Sequence, residues 1–394
     1  MAFGVSFLNR GIVMNLDKKS IVFVSTMDSA SWGGSEELWS RAALDLSAKG
    51  FLVSASVHGW TPLDERVINL KRHGVDVWPR PRESLRALAW RKVFANDKTS
   101  TIKAVKKLIS AKRPALIVLS HGGAFPFADI NLIELFVAKE LPFATICHVN
   151  SEGWWFNDSM ADRYRKALPI ARRCYFVSRA NLRLAEKQLG CDLPNAEVVW
   201  NPVNVSITAS PRWPPSDELQ LACVGRLQLV TKGQDLLLEA LADPSWASRP
   251  WRLRFYGAGE NRDTLERLVQ RLGLQNRVSF EEYLTVVEKI WAENHVLVVP
   301  SRYEGGPIVT VEAMLCGRPV VATKVALQGE IIDDGITGFL AEAPITSIFR
   351  RALDRLWERR SALEDMGRAA AKSIREKMPA DPARIFSEKI QRLI

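Results

Sequence analysis

Residues 296–338 have the sequence VLVVPSRYEGGPIVTVEAMLCGRPVVATKVALQGEIIDDGITG, and the fold class can be inferred from them. The apolar run 296–300 has the length and composition of a strand that is buried on both faces. Residues 308–315 form a predicted helix, because a proline just before them is tolerated in a first helical turn. A buried strand, a glycine turn and a helix together are typical of an open parallel sheet.

Polar groups are concentrated in the turn between this predicted strand and helix. Glu304 lies at the carboxyl end of the strand, and Glu312 lies eight residues further on, in the helix. The turn itself is made of Gly305, Gly306 and Pro307, and Ile308 begins the helix. A helix start leaves backbone N–H groups without intrahelical partners, and such groups bind anions. Carboxylates for hydroxyl groups and bare amides for phosphate are the combination that a sugar nucleotide needs.

The same stretch closely resembles glycosyltransferase family 4, the retaining enzymes with the GT-B fold. The resemblance is carried by the E-x7-E spacing and by the flanking PS-x-x-EGGP, EAMLCG-x-PVVAT and E-x-x-x-DG-x-x-GF patterns. It implies an α/β protein of two Rossmann-like, doubly wound domains that face each other across a cleft. It also implies transfer of a sugar from a nucleoside diphosphate sugar to an acceptor, with retention at the anomeric carbon.

Composition and charge narrow the class of protein. A chain of 394 residues is too long for one ordinary core, so two domains are expected. No apolar stretch is long enough to span a bilayer, and residues 1–16 lack the pattern of a signal peptide. Five cysteines without a CxxC pair indicate reduced core residues and a cytoplasmic protein. Residues 1–205 hold 28 Lys and Arg against 19 Asp and Glu, whereas residues 206–394 hold 26 against 25.

The first strand–turn–helix unit contains a glycine pair. An apolar strand at 21–26 is followed by Gly33 and Gly34, and a helix then begins near Ser35. Either the turn simply has no room for a side chain, or its backbone approaches a phosphate. In the family that the chain resembles, a similar GG-x-E faces the donor diphosphate across the cleft.

Histidines follow two further predicted strands of this half. Residues 115–120 and 143–147 are apolar, and they are followed by His121-Gly122-Gly123 and by His148. Ligands of open α/β sheets bind at the carboxyl ends of strands, although a single histidine is often only structural. By resemblance, His148 points at the transferred sugar.

The segment 80–113 is strongly basic, with eleven Lys and Arg against two acidic residues. Apolar residues recur in it at helical spacing. Either this is a solvated helical face, or it docks on an anionic membrane, where each basic residue contributes roughly 1 kcal/mol. Nucleic acid is not expected as a partner, since the chain carries no recognisable binding module.

The second half opens with a predicted strand at 219–224, and two cations follow it. Arg226 and Lys232 match the diphosphate-binding pair of the family, with a spacing of six residues where five is usual. Arginine offers a planar fork and lysine a point charge, which suits a diphosphate. Gly257 and Gly259 form a glycine turn after the next strand, where the family binds the nucleotide. The family commonly has glycine before the aromatic residue at 283, whereas this chain has Glu282.

The resemblance to the GT-B family implies three segments. Residues 1–205 are expected to form an acceptor-binding domain and residues 206–380 a nucleotide-sugar-binding domain. Residues 381–394 are expected to form a helix that crosses back to the first domain. Glu330 is another family position, with helix capping as its alternative role.

By resemblance, Arg226 and Lys232 neutralise the leaving diphosphate, Glu304 and His148 hold the sugar, and Glu312 holds the ribose. No cofactor and no metal site are expected, since the chain has no D-x-D and no cluster of His and Cys. The acceptor would be a glycan, a lipid-linked sugar or a small molecule, in polysaccharide or glycolipid synthesis. The protein would be cytoplasmic, or peripheral on the inner face of the membrane. Two alternatives remain: a GT-B protein that binds sugar nucleotides or glycans without turnover, and an oxidoreductase or epimerase with paired Rossmann domains.

Overall fold

The computed structural model describes residues 19–81, 99–125, 129–281 and 286–394. The structural statements below refer to these ranges. Residues 1–16, residues 82–98 of the basic segment, and the Glu282 departure from the family pattern lie outside them.

Two parallel sheets organise the described residues. The first has the strand order β3-β2-β1-β4-β5-β6-β7, and the second has the order β10-β9-β8-β11-β12-β13. The strands of the first sheet are β1 Ser20–Ser25, β2 Leu52–His58, β3 Asp76–Arg80, β4 Leu116–Ala124, β5 Phe143–Val149, β6 Arg173–Phe176 and β7 Ala196–Val198. The strands of the second sheet are β8 Leu219–Val224, β9 Trp251–Tyr256, β10 Val278–Glu281, β11 Val296–Val299, β12 Val320–Thr323 and β13 Gly338–Ala341.

Helices connect the strands and cover both sheets. In the first half they are α1 Gly34–Ala48, α2 Glu65–Arg72, α3 Thr99–Lys112, α4 Ile130–Ala138, α5 Asp158–Ala167 and α6 Arg179–Leu189. In the second half they are α7 Leu229–Lys232, α8 Gln234–Leu241, α9 Pro244–Ala247, α10 Arg262–Arg271, α11 Val287–Glu293, α12 Ile308–Leu315, α13 Gln328–Ile331, α14 Thr346–Glu358, α15 Leu363–Lys377 and α16 Pro382–Gln391. Short 3₁₀ turns lie at Leu168–Ile170 and Arg360–Ala362.

The apolar runs in the sequence become the central strands, as predicted. Every residue of β11 is buried, and so is every residue of β12, because helices pack on both faces of the sheet. Two apolar clusters flank the first sheet and two flank the second. The two-sheet α/β architecture inferred from the sequence is therefore confirmed.

Two predicted strands of the first sheet end later than expected. β4 continues through the histidine and the two glycines that were predicted to follow it, and His148 lies within β5. A Cβ on Gly122 would lie 2.3 Å from the backbone nitrogen of Met27, and the Gly122 N–H donates to Thr26 Oγ1 at 2.9 Å. The glycine allows β4 to continue close against the loop after β1, with an irregularity in register between His121 and Ala124.

The chain returns to the first sheet at α16, which packs against α1. Pro382 is the first residue of this helix, where a missing N–H costs nothing, and the side chain of Asp381 accepts from Arg384 N at 2.9 Å. Phe386 and Ile390 are buried in the same cluster as Tyr175, and the Phe386 and Tyr175 rings meet edge to face at 5.0 Å. The last helix thus completes the core of the first sheet.

Replacing Phe386 with alanine should lower the free energy of unfolding by about 3–5 kcal/mol, because the ring fills a closed core. Phe386 is 1% exposed, whereas the neighbouring Ile385 is 39% exposed and provides a matched control. Urea titrations of F386A and I385A would measure the difference. Equal losses from both variants would contradict the packing of this helix.

Candidate functional site

The carboxyl ends of the two sheets face each other, and the loops that leave them are in contact. A Cβ built on Gly305, in the loop after β11, would lie 1.5 Å from the carbonyl oxygen of His148 at the end of β5. The carbonyl oxygen of the next residue, Gly306, accepts a hydrogen bond from Asn201 Nδ2 at 2.9 Å. Glycine is therefore required here by the close approach of two backbones from opposite sides of the cleft.

The glycine pair after β1 faces the second sheet. Gly33 precedes α1, and a Cβ there would lie 3.5 Å from Arg226 Nη2. A Cβ on Gly34 would lie 3.3 Å from the side chain of Ile308, at the start of α12. Arg226 also donates from Nη1 to Ser29 Oγ at 3.1 Å. The structure thus brings four residues of the predicted site together across the cleft.

Lys232 and Glu304 form an ion pair. Lys232 Nζ lies 2.6 Å from Glu304 Oε1, and Ser301 Oγ donates to the same carboxylate oxygen at 2.8 Å. Lys232 ends the short helix α7, and Glu304 lies in the loop after β11. The candidate phosphate-binding cation and the candidate sugar-binding carboxylate are therefore adjacent.

His148 is buried beside Ser120, with 3.0 Å between its Nε2 and Ser120 Oγ. Burial, with a smaller contribution from His121, lowers the pKa of His148 to about 3, so the ring is neutral at physiological pH. Its Nδ1 makes no hydrogen bond to any residue that the structure describes. A neutral imidazole can exchange hydrogen bonds with hydroxyl groups but cannot neutralise a phosphate.

Glu312 is buried in α12 and contacts the segment between the sheets. Its Oε1 accepts from the N–H of Asn204 at 2.8 Å and from Asn204 Nδ2 at 2.9 Å. Arg41 donates to the carbonyl oxygen of Val203 at 2.9 Å and so holds the same segment. Burial raises the pKa of Glu312 to about 7, and nearby Glu37 adds to the shift. In this arrangement Glu312 binds the connecting backbone directly.

Glu330 lies in α13 and reaches the other half of the molecule. Its Oε1 accepts from the N–H of Ala180 at 2.8 Å, in the first turn of α6, where Ser178 is the N-cap. A carboxylate at a helix N-terminus satisfies an amide that has no intrahelical partner. The sequence left two roles for Glu330, a family site position and helix capping, and the structure contains the capping contact.

Gly257 and Gly259 support the loop that carries Arg226. Gly257 has φ +136°, and a Cβ there would lie 2.3 Å from the carbonyl oxygen of Gly225. A Cβ on Gly259 would lie 2.3 Å from the carbonyl oxygen of Leu227, whose N–H donates to the carbonyl oxygen of Ala258 at 3.0 Å. The close contact between the two loops is sufficient to require glycine at both positions. Pro307, the N-cap of α12, has an extended backbone and accepts from the N–H of Thr310 at 3.2 Å.

Several site residues were not singled out from the sequence. Ser301 lies within the PS-x-x-EGGP pattern, so its position beside Glu304 could have been noticed there. Ser29 carried no comparable signal, because its partner Arg226 is 197 positions away. Asn201 begins the turn of residues 201–204, whose N-x-V-[DN] pattern resembles the end of the first domain in the family, but that pattern does not indicate the contact with Gly306.

Two further features were searched among the described residues. No group of three or more His, Cys, Asp or Glu side chains there is arranged to hold a metal ion. Within the same ranges, none of the helices combines the length and the apolar character needed to cross a membrane.

Comparison with solved structures establishes the fold family. The Anabaena protein HepE, solved in complex with UDP and glucose, superposes with a TM-score of 0.71 at 18% identity, covering 95% of this chain and all of HepE. Sucrose-phosphate synthase from Thermosynechococcus elongatus gives a TM-score of 0.75 at 18% identity, covering 95% and 98% of the two chains. The fold is GT-B.

Parts of this GT-B chain also match known sequences. Residues 218–359 match the family described as Glycosyl transferases group 1, and this range contains Arg226, Lys232, Glu304, Glu312 and Glu330. Alpha-D-kanosaminyltransferase from Streptomyces kanamyceticus is 31% identical over 150 residues, which are 38% of this chain and 39% of the relative. The chain therefore spans less than half the length of that relative.

The raised pKa of Glu312 makes stability depend on pH. The Glu312 carboxyl binds its proton more tightly in the folded protein than in the unfolded chain, where its pKa is 4.5. The stabilisation that this difference gives is therefore complete below pH 4.5 and is lost as the pH rises to 7. A glutamine in place of Glu312 would stay neutral and keep the acceptor for Asn204. Between pH 5 and pH 8, the free energy of unfolding of E312Q should therefore rise by about 2 kcal/mol relative to that of the parent protein.

Urea unfolding at the two pH values would measure this gain. E218Q, which removes an exposed carboxylate paired with Arg252, is the matched control. A constant difference between E312Q and the parent protein at both pH values would show that Glu312 is ionised when folded.

Proposed function

We propose that this protein is a retaining, metal-independent glycosyltransferase that moves a sugar from a nucleoside diphosphate sugar to an acceptor. One observation carries the proposal: loops from both sheets meet where these residues lie. Arg226 contacts Ser29, Gly34 faces Ile308, and Gly305, next to the Glu304 that pairs with Lys232, touches the backbone of His148. The match of residues 218–359 to the group 1 glycosyl transferases supports the donor-binding half of this assignment.

The residues divide the donor by its chemistry. Arg226 and Lys232 bind the diphosphate and stabilise the charge that develops as it leaves, with backbone N–H groups near Gly34 and Gly306. Glu304 accepts hydrogen bonds from sugar hydroxyls. Neutral His148 binds the sugar near the reacting carbon. The two cations therefore meet the charged part of the donor, and the Glu304 carboxylate and the neutral imidazole meet the sugar.

The remaining site residues are proposed to bind the nucleoside end of the donor. Glu312 is proposed to hold the ribose hydroxyls, which requires it to share or exchange its present contact with Asn204. Gly257, Gly259, Pro307 and Ile308 are proposed to line the second-sheet side of the donor site. Glu330 closes the cleft through its contact with α6.

Transfer with retention then follows a front-face route. The bond from the anomeric carbon to the phosphate oxygen breaks, and the bond from the acceptor oxygen forms on the same face. The acceptor proton passes to an oxygen of the leaving diphosphate. The protein orients both reactants and stabilises the diphosphate, and this route needs no nucleophilic side chain.

The acceptor is proposed to be a glycan or a lipid-linked sugar. Poly(ribitol-phosphate) alpha-N-acetylglucosaminyltransferase of Staphylococcus aureus is 25% identical over 262 residues, covering 64% of this chain and 50% of that enzyme. A glycosylated polymer as the product of that relative favours a role in surface polysaccharide or glycolipid synthesis. The acceptor-binding domain is proposed to end near residue 205.

Replacing Arg226 or Lys232 with alanine should lower turnover about tenfold to a thousandfold, since each loses a charge that meets the leaving diphosphate. R252A, which removes an exposed arginine of β9, is the control. Release of nucleoside diphosphate from UDP-, GDP- and ADP-sugars would be measured, after a thermal-shift screen for the donor. Donor binding without any release or transfer would favour the binding protein, and tight binding of nicotinamide cofactors would favour the oxidoreductase.

The basic helix α3 is proposed to attach the enzyme to an anionic membrane. Lys103, Lys106 and Lys107 are exposed on it. Changing these three to glutamine should weaken binding to vesicles that contain phosphatidylserine, by roughly 1 kcal/mol of binding free energy for each charge. Less protein should then sediment with the vesicles. The control exchanges three exposed basic residues of the other half, Arg360, Arg368 and Lys372. If the parent protein stays in the supernatant, the membrane proposal is wrong.

A further inference from the structure

The pairing of Lys232 with Glu304 has a consequence for ligand selection. The lysine side chain is 30% exposed and the glutamate side chain 9%, so the carboxylate is almost withdrawn from water. Its Oε1 receives Lys232 Nζ and Ser301 Oγ, at 2.6 and 2.8 Å. Nearly buried carboxylates are stable only with such donors, and losing a cationic partner is costly.

The positions of the two residues are fixed by their backbones. Arg302, two residues before Glu304, donates to both oxygens of Asp235, at 2.8 and 2.6 Å, and to the carbonyl oxygen of Leu229 at 2.6 Å. Its N–H donates to the carbonyl oxygen of Thr231, next to Lys232, at 2.8 Å. Gly233 has φ +61°, and a Cβ on it would lie 2.1 Å from the carbonyl oxygen of Pro300. The loop of Glu304 and the helix of Lys232 are therefore bound to each other.

A ligand phosphate that binds Lys232 competes with this carboxylate. A nucleoside diphosphate draws the ammonium group towards its own charge and offers Glu304 nothing in return, so that Ser301 is its remaining donor among the described residues. A sugar nucleotide draws the same ammonium group but also brings sugar hydroxyls, which can donate to Glu304. The nucleoside diphosphate thus leaves the Glu304 carboxylate with too few donors, whereas the sugar nucleotide replaces the donor that it takes away.

We propose that the Glu304–Lys232 pair makes the site select the intact sugar nucleotide over the nucleoside diphosphate that the reaction leaves behind. This inference rests on the proposed function. Glu304 acts here as a specificity determinant, because its negative charge penalises a ligand without a sugar. Ser301 is a positioning residue, since its hydroxyl holds the carboxylate towards the lysine.

The test compares the dissociation constants of UDP and UDP-glucose, GDP and GDP-mannose, and ADP and ADP-glucose by calorimetry, without acceptor. Glu304→Gln should bind the free diphosphate about tenfold more tightly than the parent protein. In the variant, Lys232 can bind the diphosphate without leaving an unpaired carboxylate at position 304. The preference for the sugar nucleotide should fall by at least the same factor. Glu218→Gln, with its exposed pair to Arg252, should change neither value.

Ser301→Ala supplies a second variant with the opposite sign. Without the hydroxyl, Glu304 depends more strongly on Lys232, so the free diphosphate should bind less tightly, whereas a merely structural serine would weaken both ligands equally. Thermal unfolding of each variant would establish that it is folded.

Two outcomes separate this inference from the function on which it rests. If the parent protein binds a donor but Glu304→Gln leaves the ratio of the two dissociation constants unchanged, the pair does not select ligands and the inference is overturned. If the parent protein binds none of the six ligands, the proposed function itself is wrong.

Discussion

The contact between Gly305 and the carbonyl oxygen of His148 is the constraint on which the candidate site depends. It joins the end of β11 in the second sheet to the end of β5 in the first, at a distance that leaves no room for a side chain. With the two backbones this close, the groups that follow each strand must share one cleft. Arg226 then reaches Ser29, and Asn201 reaches the carbonyl oxygen of Gly306.

Two carboxylates of the second half, buried Glu312 and partly exposed Glu330, bind the first half around this contact. Glu312 accepts from Asn204 in the connecting segment, and Glu330 accepts from the first turn of α6. Both acceptors belong to the second half, and both donors lie before the second sheet begins. Residues that a sequence motif presents as ligand-binding groups thus also hold the protein together, and a substitution at either would change stability as well as activity.

Local patterns predicted much of this structure. The helix at 308–315 was predicted at its observed bounds, because apolar residues and a preceding proline are local signals. The resemblance predicted Arg226, Lys232 and Glu304 as parts of one site; in the structure Lys232 pairs with Glu304, and Arg226 lies beside Ser29 and Gly33. The continuation of β4 was missed, since a pair of glycines usually indicates a turn and only the neighbouring Met27 backbone explains Gly122.

Partners that are distant in the chain could not be predicted. Glu312 and Asn204 are separated by 108 positions, and Glu330 and Ala180 by 150. No periodicity or composition links such pairs, because their proximity is a product of how the two sheets are placed. The short helix α7 was missed for a related reason: four residues are too few for a periodic signal, and Arg302 holds it from outside.

The position of α16 has a consequence for how the protein is made. Phe386 and Ile390 belong to the core of the first sheet, yet the ribosome synthesises them after every strand of the second. The first sheet is translated first, but its core lacks the side chains of α16 until the second half has been synthesised. Since domains usually fold in the order of their synthesis, we expect the nascent amino-terminal half to expose apolar surface until α16 has been made, and such surface favours aggregation and chaperone binding.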